Sequence, residues 1–302
     1  MIAFLLACAT VIETHDASPN SFDFEPESTD ADIVLDSFIE PYGLGLMDDT
    51  MLITDAGSGE LWQWTPDEPE AILIEDDLGS PTHLASAGTN VVIYDSDGLR
   101  LLLFDGTEWS LLEDGIEDIG TMIIHENDCF VTVPDSGELI QIQLEAGMSN
   151  VLLDGLQTPY GLSTDGTHLW IGTQGDQTIW THEISTGDTQ EVFVLPEVPY
   201  GLEMTDELWI ATRSTRWPYG GWIYRYQDSL SQVSASPPEA NLILETDNGV
   251  IWSSKQSITY LEHTATAYQT IGVQTAVGSM QIHNDMLYWT DRQSGRLYRS
   301  TF

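Results

Sequence analysis

The chain has 302 residues, 41% of them apolar, which is enough for one large core. Its charge is extreme: 49 acidic side chains stand against 8 basic ones, a formal −41. Such a surface repels nucleic acid and anionic membranes, excluding both as direct partners, and it suits high ionic strength, where salt screens the self-repulsion.

Residues 1–8, MIAFLLAC, read as the end of a secretion signal. Leu5-Leu6-Ala7-Cys8 resembles the bacterial lipoprotein box, in which small and apolar residues lead to a cysteine thiol that carries lipid. The expectation is an extracytoplasmic protein of the bacterial envelope, or a secreted one, that meets a membrane only through a lipid on Cys8. Residues 9–31 run polar, with Pro19, Pro26 and several acids, as a disordered tether does. Cys129 lies in an apolar run and is expected as a buried free thiol.

Residues 32–302 repeat. The clearest unit is 158–187: Pro159-Tyr160-Gly161-Leu162 opens a strand, Asp165-Gly166 turns it, and an apolar strand follows from His168. Gly175-Asp176 turns again into a third strand. The opening phrase recurs at Pro41-Tyr42-Gly43-Leu44 and Pro199-Tyr200-Gly201-Leu202. Aligning the apolar strands places Ile53, Ile93, Thr132, Ile171, Ile210, Trp252 and Trp289 at equivalent positions, a period of about 40 residues. Period-2 alternation, as in Leu139-Ile140-Gln141-Ile142, rules out helical repeats of similar length.

Each unit predicts four strands: an inner one opened by the Pro-Tyr-Gly-Leu phrase, the apolar second, a third after a Gly-containing hairpin, and an outer one. The outer strands are typified by 71–75, 109–112, 151–153 and 191–194. The seventh unit stops at Phe302, just after its third strand, and the missing outer strand stands at the other end of the chain, at 33–38. An open ring would leave an unpaired edge. The expectation is therefore a seven-bladed, all-β propeller of four-stranded blades, closed by the N-terminal strand and monomeric.

Tyr288-Trp289-Thr290-Asp291 spells YWTD, and Leu52-Ile53-Thr54-Asp55 is a variant of it, so the repeat resembles the YWTD propellers. Pro-x-Gly-Leu, a turn and then Leu-Trp-Ile is similar to NHL-type and virginiamycin B lyase-type propellers, the latter with seven blades. The lyase resemblance implies a magnesium-dependent elimination using a histidine base, and it assigns no residue of this chain to that base.

Of the seven histidines, His83 alone starts an inner strand beside the ligand-side channel mouth, which makes it the candidate general base. His125, His168 and His283 fall at turns on the opposite face, and His182 and His263 near the ends of third strands. Tyr42, Tyr160 and Tyr200 either fill the funnel between blades or form a ligand platform at the mouth. Trp170, Trp209, Trp252 and Trp289 are expected to pack between blades. Asp55, Asp95, Asp135, Asp176 and Asp291 recur near ligand-side turns, where Asp caps turns. Were several to converge over the channel, they would hold a divalent cation, Ca or Mg.

Seven of the eight basic residues follow residue 212. Arg213, Arg216, Lys255 and Arg292 occupy ligand-side turns of blades 5, 6 and 7, and the long blade 5 turn adds Trp217 and Tyr219. Arginines beside aromatic rings suit a carboxylate, sulfate or phosphate. The functional expectation is non-catalytic binding of an anionic small molecule, an acidic glycan or an acidic protein loop at blades 5–7. The alternative is a metal-assisted lyase or lactone hydrolase at the channel mouth.

Overall fold

The computed structural model describes residues 31–214, 220–235, 240–254, 257–263, 268–273 and 276–302. Every regular element among them is a β-strand, and the strands form seven separate four-stranded antiparallel sheets. Six sheets run in chain order from inner to outer strand. Their inner strands are Pro41–Met47, Pro81–Ala87, Met122–His125, Pro159–Thr164, Val198–Met204 and Ile243–Thr246, opening blades 1 to 6.

The seventh blade begins at Val277–His283 and borrows its outer strand from the start of the chain. Asp32–Leu35 pairs antiparallel with Arg296–Ser300, with a bulge between Ile33 and Leu35. The strand is shorter than the expected 33–38, and the remaining residues hold the joint another way. The Phe38 amide donates to the Gly295 carbonyl at 3.3 Å, and Phe38 itself is buried between blades 7 and 1. Arg299 further ties the clasp, reaching Asp32 at 3.7 Å and Asp67 of blade 1 at 2.7 Å.

The period-2 pattern explains how blades stack. Second strands are buried on both faces, so they read as continuous apolar runs. In blade 1, Met51 and Ile53 enter the core shared with blade 7, while Leu52 enters the core shared with blade 2. In blade 2, Val91 and Ile93 face blade 1, and Val92 and Tyr94 face blade 3. Seven such clusters, one between each pair of neighbours, close the ring. Trp209, Trp252 and Trp289 are buried in them, and Trp170 packs against the blade 4–5 cluster, as expected.

One position in the expected repeat alignment is corrected. Val133 pairs with Glu138 as Asp55 pairs with Glu60, so Val131 and not Thr132 is the counterpart of Ile53. A slip of one residue reverses the face of a side chain. Thr132 is thereby free to reach the next blade, a point that matters for the site. Cys129 is a buried free thiol, and burial raises its pKa far above the ordinary thiol value. No helix among the described residues is long and apolar enough to cross a membrane. Cys8 and the 9–30 part of the tether lie outside the described residues.

Candidate functional site

The ligand-side face is assembled from two connections per blade: the entry into the inner strand and the turn between second and third strands. The recurring aspartates join them. Asp55 accepts the amides of Ile39 at 2.8 Å, Glu40 at 2.7 Å and Gly57 at 3.2 Å. Asp95 accepts Ser80 N at 2.9 Å, Asp97 N at 3.2 Å and Gly98 N at 3.1 Å, and pairs with Arg100 at 2.9 Å. Burial alone would raise the Asp95 pKa, but these amides and the guanidinium bring it below the ordinary value. Asp291 accepts Ala276 N at 3.0 Å and the Ser294 hydroxyl at 2.7 Å. Asp176 accepts the Thr173 hydroxyl within its own turn. These carboxylates are occupied by the fold. Among the described residues no group of three or more His, Cys, Asp or Glu is placed to hold a metal ion.

Glycine is required where a turn meets the neighbouring connection. Gly137, at φ 73°, would place a Cβ 2.4 Å from the Leu156 carbonyl oxygen. Gly295, at φ 69°, would place one 2.3 Å from that of Phe38, at the clasp joint.

Inner-strand tyrosines are held from behind by hydroxyls on second strands. Thr132 of blade 3 donates to the Tyr160 carbonyl at 2.8 Å, and Thr290 of blade 7 donates to that of Tyr42 at 2.9 Å. Each also accepts an amide of its own inner-strand entry, from Thr121 at 2.9 Å and Ser279 at 3.0 Å. The backbone of the mouth is thus fixed from blade to blade.

Three of the predicted site residues meet on one side. The Arg213 guanidinium lies over the Tyr200 ring, 3.5 Å from its centroid, and Tyr160 and Tyr200 are in contact at 5.3 Å. Three more meet on another side. Arg292 lies over Tyr42 at 4.7 Å, Tyr42 contacts His83 at 5.6 Å, and His83 contacts Tyr94 at 6.1 Å. The two groups share one space: the Tyr160 pKa is raised by burial first, then by Tyr42, and is opposed by Arg213. Tyr42, Tyr160 and Tyr200 are each partly buried near the start of an inner strand. Arg216, Trp217, Tyr219 and Lys255 lie outside the described residues.

His83 is a neutral imidazole in this setting. Burial, and then the charge of Arg292, lower its pKa from 6.5 to about 4. Its Nδ1 lies 3.1 Å from the Thr82 hydroxyl. The other histidines stand elsewhere: His168 beside Asp165 at 3.3 Å, and His263 stacked on Trp209 at 5.7 Å, both towards the opposite face.

Three groups near these connections were not singled out by sequence. Thr173, Thr212 and Asp291 each pair with the first or second residue of an inner strand, so Gln174, Arg213 and Arg292, which follow them, occupy one place in blades 4, 5 and 7. The blade alignment carries that signal for Gln174. Asn241, at the entry of blade 6, and Asp118, at the entry of blade 3, lie in irregular connections with no repeat phrase to mark them. Gln174 Nε2, Asn241 Oδ1 and Arg292 Nε are buried and have no hydrogen-bond partner. Buried polar atoms are rarely left so. Asp118 has its pKa raised by burial and by Asp135, and it acts in turn on Tyr94 and Tyr160.

A divalent cation does not fit this mouth. Among the described residues, the side chains brought together there are guanidinium groups, tyrosines and one neutral histidine, and no group of three or more carboxylates or histidines is placed to hold an ion, whereas Ca and Mg take several oxygen donors.

No protein-family model matches the chain, and no curated protein matches it by sequence. Solved structures do. A catalytically inactive variant of virginiamycin B lyase from Staphylococcus aureus, with quinupristin, superposes at TM-score 0.76 with 12% identity, covering 91% of this chain and 100% of that one. A streptogramin B lyase gives TM-score 0.75 and 13% identity over 89% and 96% of the two chains. YCF48 from Cyanidioschyzon merolae gives 0.67 and 9%, over 91% and 99%. At such identities the likeness is one of fold, and the chain is a seven-bladed β-propeller built like the virginiamycin B lyases.

Proposed function

We propose that the propeller binds an anionic, ring-bearing ligand at the ligand-side channel mouth without converting it. One observation carries the reading. In a chain with 49 acidic residues, Arg213 and Arg292 hold no carboxylate among the described residues and lie instead over tyrosine rings at the mouth, Arg213 Nε donating to the Ala240 carbonyl at 3.4 Å. The remaining arginines with ion pairs, Arg100, Arg225 and Arg299, hold Asp95, Glu207 and Asp32 with Asp67. With Arg213 Nε taken up by the Ala240 carbonyl and Arg292 Nε buried, the terminal guanidinium nitrogens are the donors such a ligand would use. Arg216, Lys255, Trp217 and Tyr219 would extend the same site across blades 5–7.

Calorimetry with aromatic carboxylates and acidic oligosaccharides tests this. A bound member of either class should weaken about 10-fold or more in Arg213→Ala or Arg292→Ala, the loss of one charge-assisted bond. A ligand whose affinity ignores both substitutions removes the site.

The setting is proposed from residues 1–31: a monomeric extracytoplasmic lipoprotein tied to the envelope through Cys8. Cys8→Ala should then move the protein from the membrane fraction to the soluble one, and an unchanged distribution rejects the anchor.

The second reading is a lyase or lactone hydrolase, supported by the fold likeness and by neutral His83 at the mouth. Incubation with quinupristin, followed by mass spectrometry and chromatography, tests it against the compound bound in the Staphylococcus aureus structure. An unaltered compound after prolonged incubation counts against that reading for this substrate.

A further inference from the structure

The residue that follows the end of each second strand occupies one place around the ring. In blades 1, 2, 4 and 7 it donates its amide to the entry of its own inner strand: Ala56 to Glu40 at 3.0 Å, Ser96 to Ser80 at 2.9 Å, Gln174 to Thr158 at 2.9 Å and Arg292 to Ala276 at 3.0 Å. In blade 5, strand pairing sets Arg213 opposite Val198 at the same place, and in blade 3 Val133 is followed by Pro134. The blade 6 residue, Lys255, lies outside the described residues. Among the described ones, only blades 5 and 7 put a charge here, and it is positive in both. Each guanidinium also reaches towards the blade that follows its own. Arg213 Nε donates to the Ala240 carbonyl at the entry of blade 6, at 3.4 Å, and Arg292 lies over Tyr42 of blade 1, 4.7 Å from the ring centroid. Each is backed by two rings, Arg213 by Tyr200 and Tyr160, and Arg292 by Tyr42 and His83.

These are two like stations at one level of the ring. Adjacent sheets pack about 10 Å apart and converge on the axis, so places two blades apart lie within about 20 Å of each other. One molecule can bridge such a span, and it loses its translational freedom only once for two charge-assisted contacts. Resting on the anion site above, we propose that its ligand is a rigid dianion: an aromatic scaffold with two acidic groups, one on Arg213 and one on Arg292, spanning blade 6. The Tyr200–Tyr160 and Tyr42–His83 ring pairs flank the scaffold at its two ends. A single acid occupies one station and gains nothing from the other.

The test uses the full-length protein with terephthalate, biphenyl dicarboxylate and terphenyl dicarboxylate, whose acid groups stand at opposite ends of one, two and three rings. Each is paired with the monoacid of the same ring system. Calorimetry at low salt should show one length binding at least about 10-fold more tightly than its monoacid. Arg213→Gln and Arg292→Gln should each return that diacid to the affinity of its monoacid. The monoacid should survive either substitution, because the other station remains, and should be lost in the double variant. Arg213→Gln also removes the bond to Ala240, so Arg213→Lys serves as a second variant. It keeps the charge without the fork and should recover part of the diacid affinity, and melting scans compare every variant with the wild type.

If no diacid reaches that margin over its monoacid, the dianion assignment is wrong, and arginine-dependent binding of the monoacid leaves the anion site standing. A diacid that reaches the margin and ignores either arginine overturns the assignment as well. If neither monoacids nor diacids bind, the dianion assignment fails, and the acidic oligosaccharides then decide the anion site by themselves.

Discussion

The two halves of the ring use the same positions differently. In blades 1, 2 and 7 the second strand ends in Asp55, Asp95 or Asp291, each at most 3% exposed and each taken up by donors of the adjoining turns. In blades 4, 5 and 6 the corresponding residues are Thr173, Thr212 and Ser254. Thr212 accepts only the Trp222 amide, at 2.9 Å, and donates to its carbonyl at 3.0 Å, inside its own hairpin. The first half also contains the clasp. The second holds the orphaned Gln174 and Asn241, Arg213 on its tyrosine, and a carboxyl whose pKa burial raises to about 7, while the first has one such orphan, Arg292 Nε, beside Tyr42. Buried polar groups are rarely left without a partner, so the two halves differ in how completely the fold satisfies them.

The largest effect tests the frame. Removing residues 1–30 should leave the cooperative thermal transition in place, because it keeps all seven sheets, the Asp32–Leu35 strand and the Phe38 joint. Removing residues 1–38 takes away the outer strand of blade 7 and Phe38, exposing the edge of Arg296–Ser300. That truncation should aggregate or lose its single transition, as followed by circular dichroism and light scattering. Equal behaviour of both truncations would show that the clasp does not hold the ring.

Next comes the aspartate clamp. Asp55→Ala leaves three amides without their acceptor in a place closed to water, and should cost about 3 kcal/mol in urea unfolding. Thr212→Ala, at the matching place in the other half, should cost about 1 kcal/mol. Equal losses would erase the distinction between the halves.

The last effect concerns the far end of blade 5. Glu203 lies on its inner strand, and its pKa is raised to about 7 by burial and then by Glu245 on blade 6. Glu245 is faced by Glu207, Asp206 and the Thr205 hydroxyl, with His263 at 3.6 Å. A carboxyl that keeps its proton better when folded contributes stability below its unfolded pKa. That contribution is lost as pH rises through about 7. Glu203→Gln should therefore change little at pH 4 and stabilise the protein by about 2 kcal/mol at pH 8, where the charge would otherwise be buried. Chemical unfolding at both pH values measures it, and a gain that is the same at both refutes the assignment.

Much of the frame was legible in the chain. The Pro-Tyr-Gly-Leu phrases, the Asp and Gly turns and the alternation of second strands are local signals, and they located six inner-to-outer blades and the borrowed seventh strand. The single misalignment, Thr132 for Val131, came from blade 3, which lacks the opening phrase; there the apolar run extends the same way in either register. His83, the three tyrosines, Arg213 and Arg292 were picked out as candidates by residue type and position. Gln174 passed unnoticed because glutamine in a turn has many solvated roles, and Asn241 and Asp118 because irregular connections carry no period.

The sequence by itself determined the number of blades, their strands and the turns that would face a ligand, because each depends on residues within about 40 positions of one another. Only the tertiary structure decided which side chains meet. Thr290 supports the carbonyl of Tyr42 across 248 residues of chain, and Arg292 then covers that same tyrosine. Contacts of this kind exist because the ring closes, and closure sets the distance between blades irrespective of their separation along the chain.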